Sequence, residues 1–336
     1  MVLFILGTLL FFMTAADITK TTLSTRGGGI LTNTVARLVW ACFFKAAGRQ
    51  GRSRLLEYAG QFVLLSVLLT WILALWVSLF LLFAAQAGSV VDGTTKVPAD
   101  LWETFYYAGF TLSTLGVGDY AASGNGWRVL TSAAAFCGLT FITAAITYIV
   151  PVLSAVSLQN QLSLMITSMG RTPQDILINS WNGSDFSRFY DNATDLRQML
   201  VEHTLNHHAY PVIQCFHNSD AGKNVIPALV TLSETLRLLD GVCADIPQDS
   251  LKRRMLGSAM ERHIDLQRAN YLSRTPSAVP FESVDLGAMK TAGIPVNGSV
   301  TNVELSDERR RLLGALLASD GWQWRDVYGD AARYTT

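Results

Sequence analysis

Thr-Leu-Gly-Val-Gly-Asp, at residues 114–119, is the stretch that decides the fold of this chain. Its two glycines alternate with larger residues, and glycine adopts positive φ at little cost. This alternation allows successive carbonyl oxygens to point to one side of the backbone, and a row of such oxygens can replace the water around a monovalent cation. The same residues also occur in ordinary turns and calcium-binding loops, so the flanking sequence has to decide between these interpretations.

The flanking sequence favours a loop that enters a membrane. Residues 101–113 are rich in aromatic side chains, and Pro98 and Asp100 precede them as helix-start signals. Phe62–Ala85 is an uncharged run of 24 residues, and a second apolar span runs from about Val129 to Val152, so each can cross a bilayer. Non-helical backbone occurs at membrane depth only where protein surrounds it or it lines a water-filled path, which suits the loop between these spans.

The stretch and its flanks resemble the pore module of the potassium-channel pore-loop family over about residues 60–155. The usual filter of that family is Thr-Val-Gly-Tyr-Gly-Asp, which follows an outer helix and a re-entrant pore helix and precedes an inner helix. The resemblance implies K⁺ as the permeant ion and a ring of four chains, because one loop cannot surround an ion. It places the ion-coordinating oxygens at Thr114, Leu115, Gly116, Val117 and Gly118, with Asp119 at the outer mouth.

Two positions depart from the family pattern. Val117 replaces the tyrosine or phenylalanine that is common between the glycines, which removes a hydrogen bond that braces the filter in many relatives. Phe110 stands four residues before Thr114, where some relatives have a buried carboxylate that pairs with the filter aspartate. Asp119 therefore needs another partner or water, and a pore that is weakly selective among monovalent cations stays open as an alternative.

The inner helix contains two candidate gate hinges. Gly138 lies 20 residues after Gly118, where the potassium-channel family often has a bending glycine. Pro151 lies near the expected cytoplasmic end and removes a backbone donor from the helix. The alternatives are that Gly138 only allows close helix packing and that Pro151 only ends the helix, and the sequence does not decide between these roles.

The N-terminal part contains another apolar run. Residues 2–16 are too short to span a bilayer, but a helix that continues through Thr19–Thr25 and ends at Arg26 and the glycines after it is long enough. We expect this extra membrane helix rather than a signal peptide, because a basic n-region is missing. Asp17 would lie near one end of it, at the interface or beside a basic residue, and we expect it to serve packing rather than function. Residues 30–48 have the spacing of an amphipathic helix, either on the membrane surface or packed on its own domain.

The distribution of charge predicts the orientation. Between Lys20 and Arg54 there are seven Lys or Arg and no acidic residue, whereas the loop from Gly88 to Gly126 contains Lys96 as its single basic residue. By the positive-inside rule the basic segment is cytoplasmic and the pore loop opens from the opposite side. The chain crosses twice more after the basic segment, so the C-terminal domain is expected in the cytoplasm as well.

Residues 157–336 have a mixed composition that indicates a mostly helical cytosolic domain. Helical periodicity is visible at residues 186–205, 225–239, 251–272 and 303–318. We find no strand followed by Gly-x-Gly-x-x-Gly and a helix, no phosphate-binding loop and no nucleophile arrangement, so we expect neither a cofactor nor enzyme activity. Zero net charge gives no support to nucleic-acid binding. An unknown ligand or protein on this domain is a further candidate partner.

One group of side chains in this domain suggests metal binding. Four of the five histidines lie within 15 residues, and His203 and His207 are four apart, a spacing that shares a helix face and can hold a transition metal. Proton sensing and structural packing are the alternatives. The candidate ligands are His203, His207, His208, Cys215 and His217.

The sequence thus predicts an α-helical membrane protein in three parts. Residues 1–59 form an N-terminal membrane helix and a basic segment, residues 60–156 the tetrameric pore module, and residues 157–336 an all-α domain that assembles or regulates the pore. The predicted function is passive K⁺ conduction across the plasma membrane by a homotetramer in the lipid bilayer. The alternatives are the weakly selective pore and a membrane-anchored signalling or interaction protein with a vestigial pore.

Overall fold

The computed structural model describes residues 1–24, 27–241, 243, 245–271, 283–296, 307–329 and 332–333. The chain divides into two compact units. The membrane unit contains Met1–Trp40, Gln61–Leu153 and Ala209–Val212. The C-terminal unit contains Ala41–Gly60, Ser154–His208 and Ile213–Thr336. Residues 41–60 therefore group with the C-terminal residues and not with the N-terminal helix.

Within the described residues, three helices are long and apolar enough to cross a membrane. The first is α1 (Val2–Leu23), which continues into the threonine-rich stretch as predicted, whereas the expected end at Arg26 lies outside the described residues. A second helix, α2 (Ile30–Ala46), and a 3₁₀ turn (Arg54–Tyr58) lead to the outer helix α3 (Ala59–Ala84). Many apolar side chains of α3 remain exposed, as expected for a surface that faces lipid.

The segment between the last two spans contains a short helix and a small sheet. Strand β1 (Val90–Asp92) precedes the pore helix α4 (Leu101–Leu112), and strand β2 (Tyr120–Ala122) follows the loop that contains residues 114–119. The two strands pair antiparallel, with Asp92 opposite Tyr120. This pairing brings the chain after the 114–119 loop back beside the segment that precedes α4. The loop is therefore held by α4 at one end and by the two-stranded sheet at the other.

The inner helix α5 (Asn125–Met169) is longer than the sequence predicted. It contains Pro151 in its interior and continues well past the expected end at Val152. The interpretation that Pro151 ends the helix is therefore wrong. Proline removes one helical hydrogen bond but does not prevent the helix from continuing when the flanking turns are supported.

The C-terminal unit is mostly helical, as the sequence indicated. The predicted periodic segments correspond to α7 (Ser187–Ala209), α8 (Val225–Gly241), α9 (Ser250–Tyr271) and α11 (Asp307–Ser319), although residues 303–306 of the fourth lie outside the described residues. The other elements are α6 (Pro173–Ser180), two 3₁₀ turns (Pro211–Cys215 and Ala221–Lys223), α10 (Gly287–Thr291), α12 (Trp324–Tyr328) and an antiparallel pair formed by β3 (Ser283–Val284) and β4 (Ala332–Arg333).

Helix α8 lies at the centre of this unit. Every residue from Pro227 to Leu239 is buried, because α6, α9, α11 and α12 all contact α8. A helix that is covered on all sides usually consists of apolar residues. Here α8 also contains Glu234 and Arg237, which are buried and paired with each other at 2.8 Å.

Candidate functional site

The pore helix α4 is fixed at its first turn and along one side. Asp100 and Glu103 form a capping box, in which the Asp100 carboxylate accepts from the Glu103 N–H at 2.8 Å and the Glu103 carboxylate accepts from the Asp100 N–H at 2.7 Å. The Trp76 indole N–H of α3 donates to the Phe105 carbonyl at 2.8 Å. A Cβ atom at Gly109 would lie 2.7 Å from the Trp76 ring, so α4 packs closely on α3 and the start of the next loop is fixed.

The loop after α4 has the alternating backbone expected of a filter. The angle φ is positive at Thr114 (59°), Gly116 (58°) and Gly118 (89°), whereas Leu115 and Val117 between them do not have a positive φ. The glycines were expected to adopt this conformation, but Thr114 is β-branched, and positive φ is rare and strained for such a residue. The Leu115 N–H donates to the Phe110 carbonyl at 2.9 Å, which holds the strained turn against the end of α4.

The carbonyl oxygens of residues 114–118 accept no hydrogen bond from any of the described residues. A backbone carbonyl that is buried normally needs a hydrogen-bond partner within the protein. Residues 113–119 are all exposed, so their carbonyl oxygens are open to water or to an ion. The apolar side chains of Leu115 and Val117 are 67% and 54% exposed. Free carbonyls beside exposed apolar side chains suit a site that further copies of the chain complete around a common axis.

Asp119 has partners other than the carboxylate found in some relatives. The Asp119 carboxylate accepts from the Tyr120 N–H at 3.0 Å and lies near the Tyr106 hydroxyl, one turn before Phe110 on α4. The Tyr120 hydroxyl in turn donates to the Glu103 carboxylate at 2.6 Å. Tyr106 and Tyr120 therefore surround Asp119, where some relatives have a carboxylate.

Gly93 supports the outer end of the filter, although no sequence motif indicated it. Its N–H donates to the Asp119 carbonyl at 2.6 Å. A Cβ atom at this position would lie 2.6 Å from the Gly118 carbonyl oxygen, so no larger residue fits here without displacing the filter. The pairing of Asp92 with Tyr120 places Gly93 at this point.

Gly138 lies against the inner end of the pore helix. A Cβ atom at this position would lie 2.0 Å from the Leu112 carbonyl oxygen and 3.2 Å from the Leu112 Cδ1 atom. Only glycine allows α5 to approach α4 this closely, which supports the packing role. The hinge roles of Gly138 and Pro151 remain predictions.

A buried carboxylate joins the N-terminal helix to the outer helix. Asp17 Oδ1 accepts from the Leu31 N–H at 2.8 Å, and Oδ2 accepts from the Thr32 hydroxyl at 2.6 Å and from the Trp71 indole N–H at 3.0 Å. Leu31 and Thr32 belong to the first turn of α2, whose N–H groups have no helical partner and favour a negative charge. A Cβ atom at Gly29 would lie 1.9 Å from Asp17 Oδ1, so the approach requires glycine. Asp17 thus connects α1, α2 and α3.

In the C-terminal unit, His203 and His207 lie beside His263 of α9, which their spacing in the sequence did not indicate. The three ring centroids are 5.2–6.2 Å apart, and all three side chains are buried. Burial, together with the neighbouring imidazoles, lowers the pKa of His203 well below its ordinary value, that of His207 to about 4 and that of His263 to about 3. This buried histidine cluster is therefore uncharged at neutral pH.

The other members of the predicted metal site have different surroundings. His208 is exposed, and burial raises the pKa of the Cys215 thiol to about 12. The reason is that α7 ends at Ala209 and the turn from Pro211 to Cys215 redirects the chain. In the part of the chain that the structure describes, no three His, Cys, Asp or Glu side chains are arranged to hold a metal ion.

His217 holds the segment that precedes α3. Its Nε2 atom lies 2.6 Å from the Gly51 carbonyl oxygen, its Nδ1 atom lies 3.0 Å from the Asp320 carboxylate, and its ring stacks on Trp322. Both ring nitrogens thus face acceptors, an arrangement that favours the doubly protonated ring. Burial alone would lower the pKa of His217, but the hydrogen bond and charge of Asp320 and the Gly51 carbonyl outweigh it and raise the pKa.

Two more contacts hold residues 48–58, which we call the pre-α3 segment. Arg52 pairs with Asp326 at 2.7 Å, and the Glu57 carboxylate accepts a hydrogen bond from the Ser219 hydroxyl. The C-terminal unit therefore contains both the segment that leads into α3 and, from Ser154 onward, the last part of α5.

Comparisons with known proteins agree with this geometry. Residues 66–155, which extend from α3 through the 114–119 loop into α5, match the model of a family described as ion channel. The chain is 27% identical over 325 residues to the uncharacterized membrane protein YdjJ of Bacillus subtilis (strain 168), and the alignment covers 95% of this chain and 94% of that protein. No solved structure matches the chain significantly. The family match confirms the resemblance to a two-helix pore module.

Proposed function

We propose, given that residues 66–155 form an ion-channel domain, that this chain is a subunit of a potassium-selective channel and conducts K⁺ passively across the plasma membrane. The observation that supports this most directly is the filter backbone. Positive φ alternates along residues 114–118, and the carbonyl oxygens of these residues accept no hydrogen bond from the described residues. Several such loops around one axis would surround a dehydrated cation with successive layers of oxygen. This mechanism requires no covalent chemistry and no cofactor.

The assembly we propose is a homotetramer in the lipid bilayer. One filter loop supplies one side of each ion site, so the other sides must come from identical loops related by cyclic symmetry. The exposed side chains of Leu115 and Val117 support this assembly, because apolar groups beside a water-filled path are more stable when neighbouring copies cover them.

The orientation we propose has the pre-α3 segment and the C-terminal unit in the cytoplasm. The basic residues between Lys20 and Arg54 support it through the positive-inside rule, as does the single basic residue, Lys96, in the loop from Gly88 to Gly126. The C-terminal unit would regulate or assemble the pore. Because it contains both the segment before α3 and the last part of α5, a rearrangement within it would act on the ends of both helices of the pore module.

The reversal potential of the purified full chain in a planar bilayer, under opposed K⁺ and Na⁺ gradients, tests this function. We expect a value near the K⁺ equilibrium potential. A value near zero would favour the weakly selective pore that Val117 permits. Absence of current from bilayers that demonstrably contain the protein would leave two explanations to separate: a closed gate, and the membrane-anchored signalling or interaction protein.

Gly118→Ala tests the assignment of the filter. An alanine at φ of 89° is strained by about 1–2 kcal/mol in every copy, so we expect K⁺ current to be abolished. Gly124→Ala is the matched control, because a Cβ atom there meets no other atom within 4 Å and its φ is ordinary. If the Gly118→Ala channel conducted K⁺ as well as the control, the assignment would be wrong.

A further inference from the structure

A cavity of about 550 Å³ lies within the C-terminal unit between α8, α9 and α11. This volume is within the range of pockets that bind small molecules. Three carboxylates and five arginines line it, so its walls have a net charge of two positive charges. The arginines are Arg237, Arg253, Arg254, Arg309 and Arg310.

Two of these arginines are already neutralised within the wall. Arg237 lies 2.8 Å from the buried Glu234 carboxylate, which also accepts from the Tyr328 hydroxyl at 2.5 Å. Arg253 pairs with Asp240. These pairs involve residues of α8 and α9 and contribute little net charge to the cavity.

The net charge is shared by Arg254, Arg309 and Arg310, for which Glu261 is the one remaining carboxylate of the lining; Arg310 lies 3.9 Å from the Glu234 carboxylate that already pairs with Arg237. Arg254 is exposed and makes no ion pair with any described residue. Arg309 makes two long contacts, 3.3 Å to the Ser233 hydroxyl and 3.7 Å to the Glu261 carboxylate. One arginine belongs to α9 and the other to α11, so two different helices supply guanidinium groups with weak protein contacts to the same cavity.

Gly257 leaves the cavity open between these groups. It lies on α9 among the lining residues, and a Cβ atom at this position would meet no other atom within 4 Å. Glycine is less favourable than alanine in a helix interior, and no packing contact in the described residues requires it here. The absence of a side chain keeps the space beside Arg253 and Arg254 accessible.

We propose that this cavity binds a soluble, phosphate-bearing small molecule with two or more negative charges. Guanidinium groups are planar, stay charged at physiological pH and form paired hydrogen bonds with phosphate oxygens. Two weakly paired arginines on facing helices can bind two phosphate groups, and the volume leaves room for an organic part. The proposal concerns binding alone, so its test does not depend on conduction.

Isothermal titration of the purified full chain in detergent, with inorganic pyrophosphate and with ADP as separate probes, tests the proposal. We expect at least one probe to bind with a Kd below about 1 mM at low salt, and binding to weaken as salt is raised. Equal binding of both probes would show that phosphate alone is recognised, and tighter binding of ADP would show that the organic part contributes. The Arg254→Ala/Arg309→Ala variant should bind at least about tenfold more weakly.

Two matched pairs of variants make the result specific. Gly257→Glu places a carboxylate in the cavity and should abolish binding, whereas Gly257→Ala should keep it. Arg262→Ala, on the same helix but outside the cavity, should bind as the parent does. Circular dichroism and gel filtration show that each variant is folded. The proposal is overturned if neither probe binds below about 5 mM, or if folded Arg254→Ala/Arg309→Ala and Gly257→Glu variants bind as tightly as the parent.

Discussion

Gly138→Ala is expected to displace the proposed filter by pushing the end of α4 away from α5. A Cβ atom at this position would lie 2.0 Å from the Leu112 carbonyl oxygen, and real Cβ contacts begin at about 3.0 Å, so α5 and the end of α4 must move apart by about 1 Å. Leu112 is the last residue of α4, and Thr114, the first residue of the filter, follows two residues later. A shift at Leu112 is therefore expected to reach the backbone of residues 114–118, where we propose that the ion binds.

The magnitude follows from packing. Forcing an extra methyl group into a close-packed contact costs about 1–3 kcal/mol, and the better helix propensity of alanine offsets about 0.5–1 kcal/mol. We expect a net loss of about 0.5–2 kcal/mol in the free energy of unfolding per chain, measured in mixed micelles of rising SDS content. K⁺ flux into proteoliposomes should fall by about tenfold or more, because a 1 Å error in positioning is larger than such a site tolerates.

Gly126→Ala is the control for this experiment, because it lies in the same helix and a Cβ atom there meets no other atom within 4 Å. We expect parent-like stability and flux from this variant. Parent-like stability and flux from Gly138→Ala would refute the packing argument. Unchanged stability together with a changed open probability would favour the hinge role for Gly138.

Two further perturbations test the connections around the pore. Asp17→Ala leaves the buried N–H donors of α2 and of Trp71 without an acceptor, so the free energy of unfolding should fall by about 2–5 kcal/mol. Trp71→Phe should recover part of this loss when it is combined with Asp17→Ala, and should not stabilise the parent chain. Thermal unfolding at a series of pH values should show stability lost on both sides of neutrality. The raised pKa of His217 means that its protonated ring stabilises the fold fully below about pH 6.5, the ordinary pKa of histidine, and that this contribution disappears as pH rises through the raised pKa. His217→Gln should therefore reduce the dependence of stability on pH on the alkaline side of neutrality. The buried histidine cluster, with depressed pKa values, removes stability as pH falls from about 6.5 towards 4, because the unfolded chain binds protons that the folded chain excludes.

The backbone conformation at Gly116 and Gly118 and the start of α4 could be predicted because their signals are local. Gly116 and Gly118 adopt the positive φ that their lack of a side chain permits, and the capping box at Asp100 begins the pore helix at the predicted place. The positive φ of Thr114 could not be predicted, because propensity alone disfavours it. It is stabilised by the hydrogen bond from the Leu115 N–H to the end of α4, which depends on where the loop lies.

The supports of the filter and the role of Asp17 could not be predicted, because their partners are distant in the sequence. Asp17 bonds to Trp71, 54 residues away, and Gly93 bonds to Asp119 across a sheet of two three-residue strands. In the same way, the spacing of His203 and His207 correctly indicated a shared helix face, but their third neighbour, His263, comes from α9. Periodicity describes one element at a time and does not say which elements meet.

The pre-α3 segment shows how such long-range contacts bear on function. The basic residues between Lys20 and Arg54 indicate the orientation through the positive-inside rule, but they do not indicate the contacts of Gly51 with His217 and of Arg52 with Asp326, which span 166 and 274 residues. The backbone runs from this segment directly into α3, and the same unit takes up α5 from Ser154 onward. His217 holds Gly51 of this segment and pairs with Asp320. We therefore expect loss of the charge on His217 to loosen the segment before α3, without a direct effect on the contacts at Leu112 and Gly93.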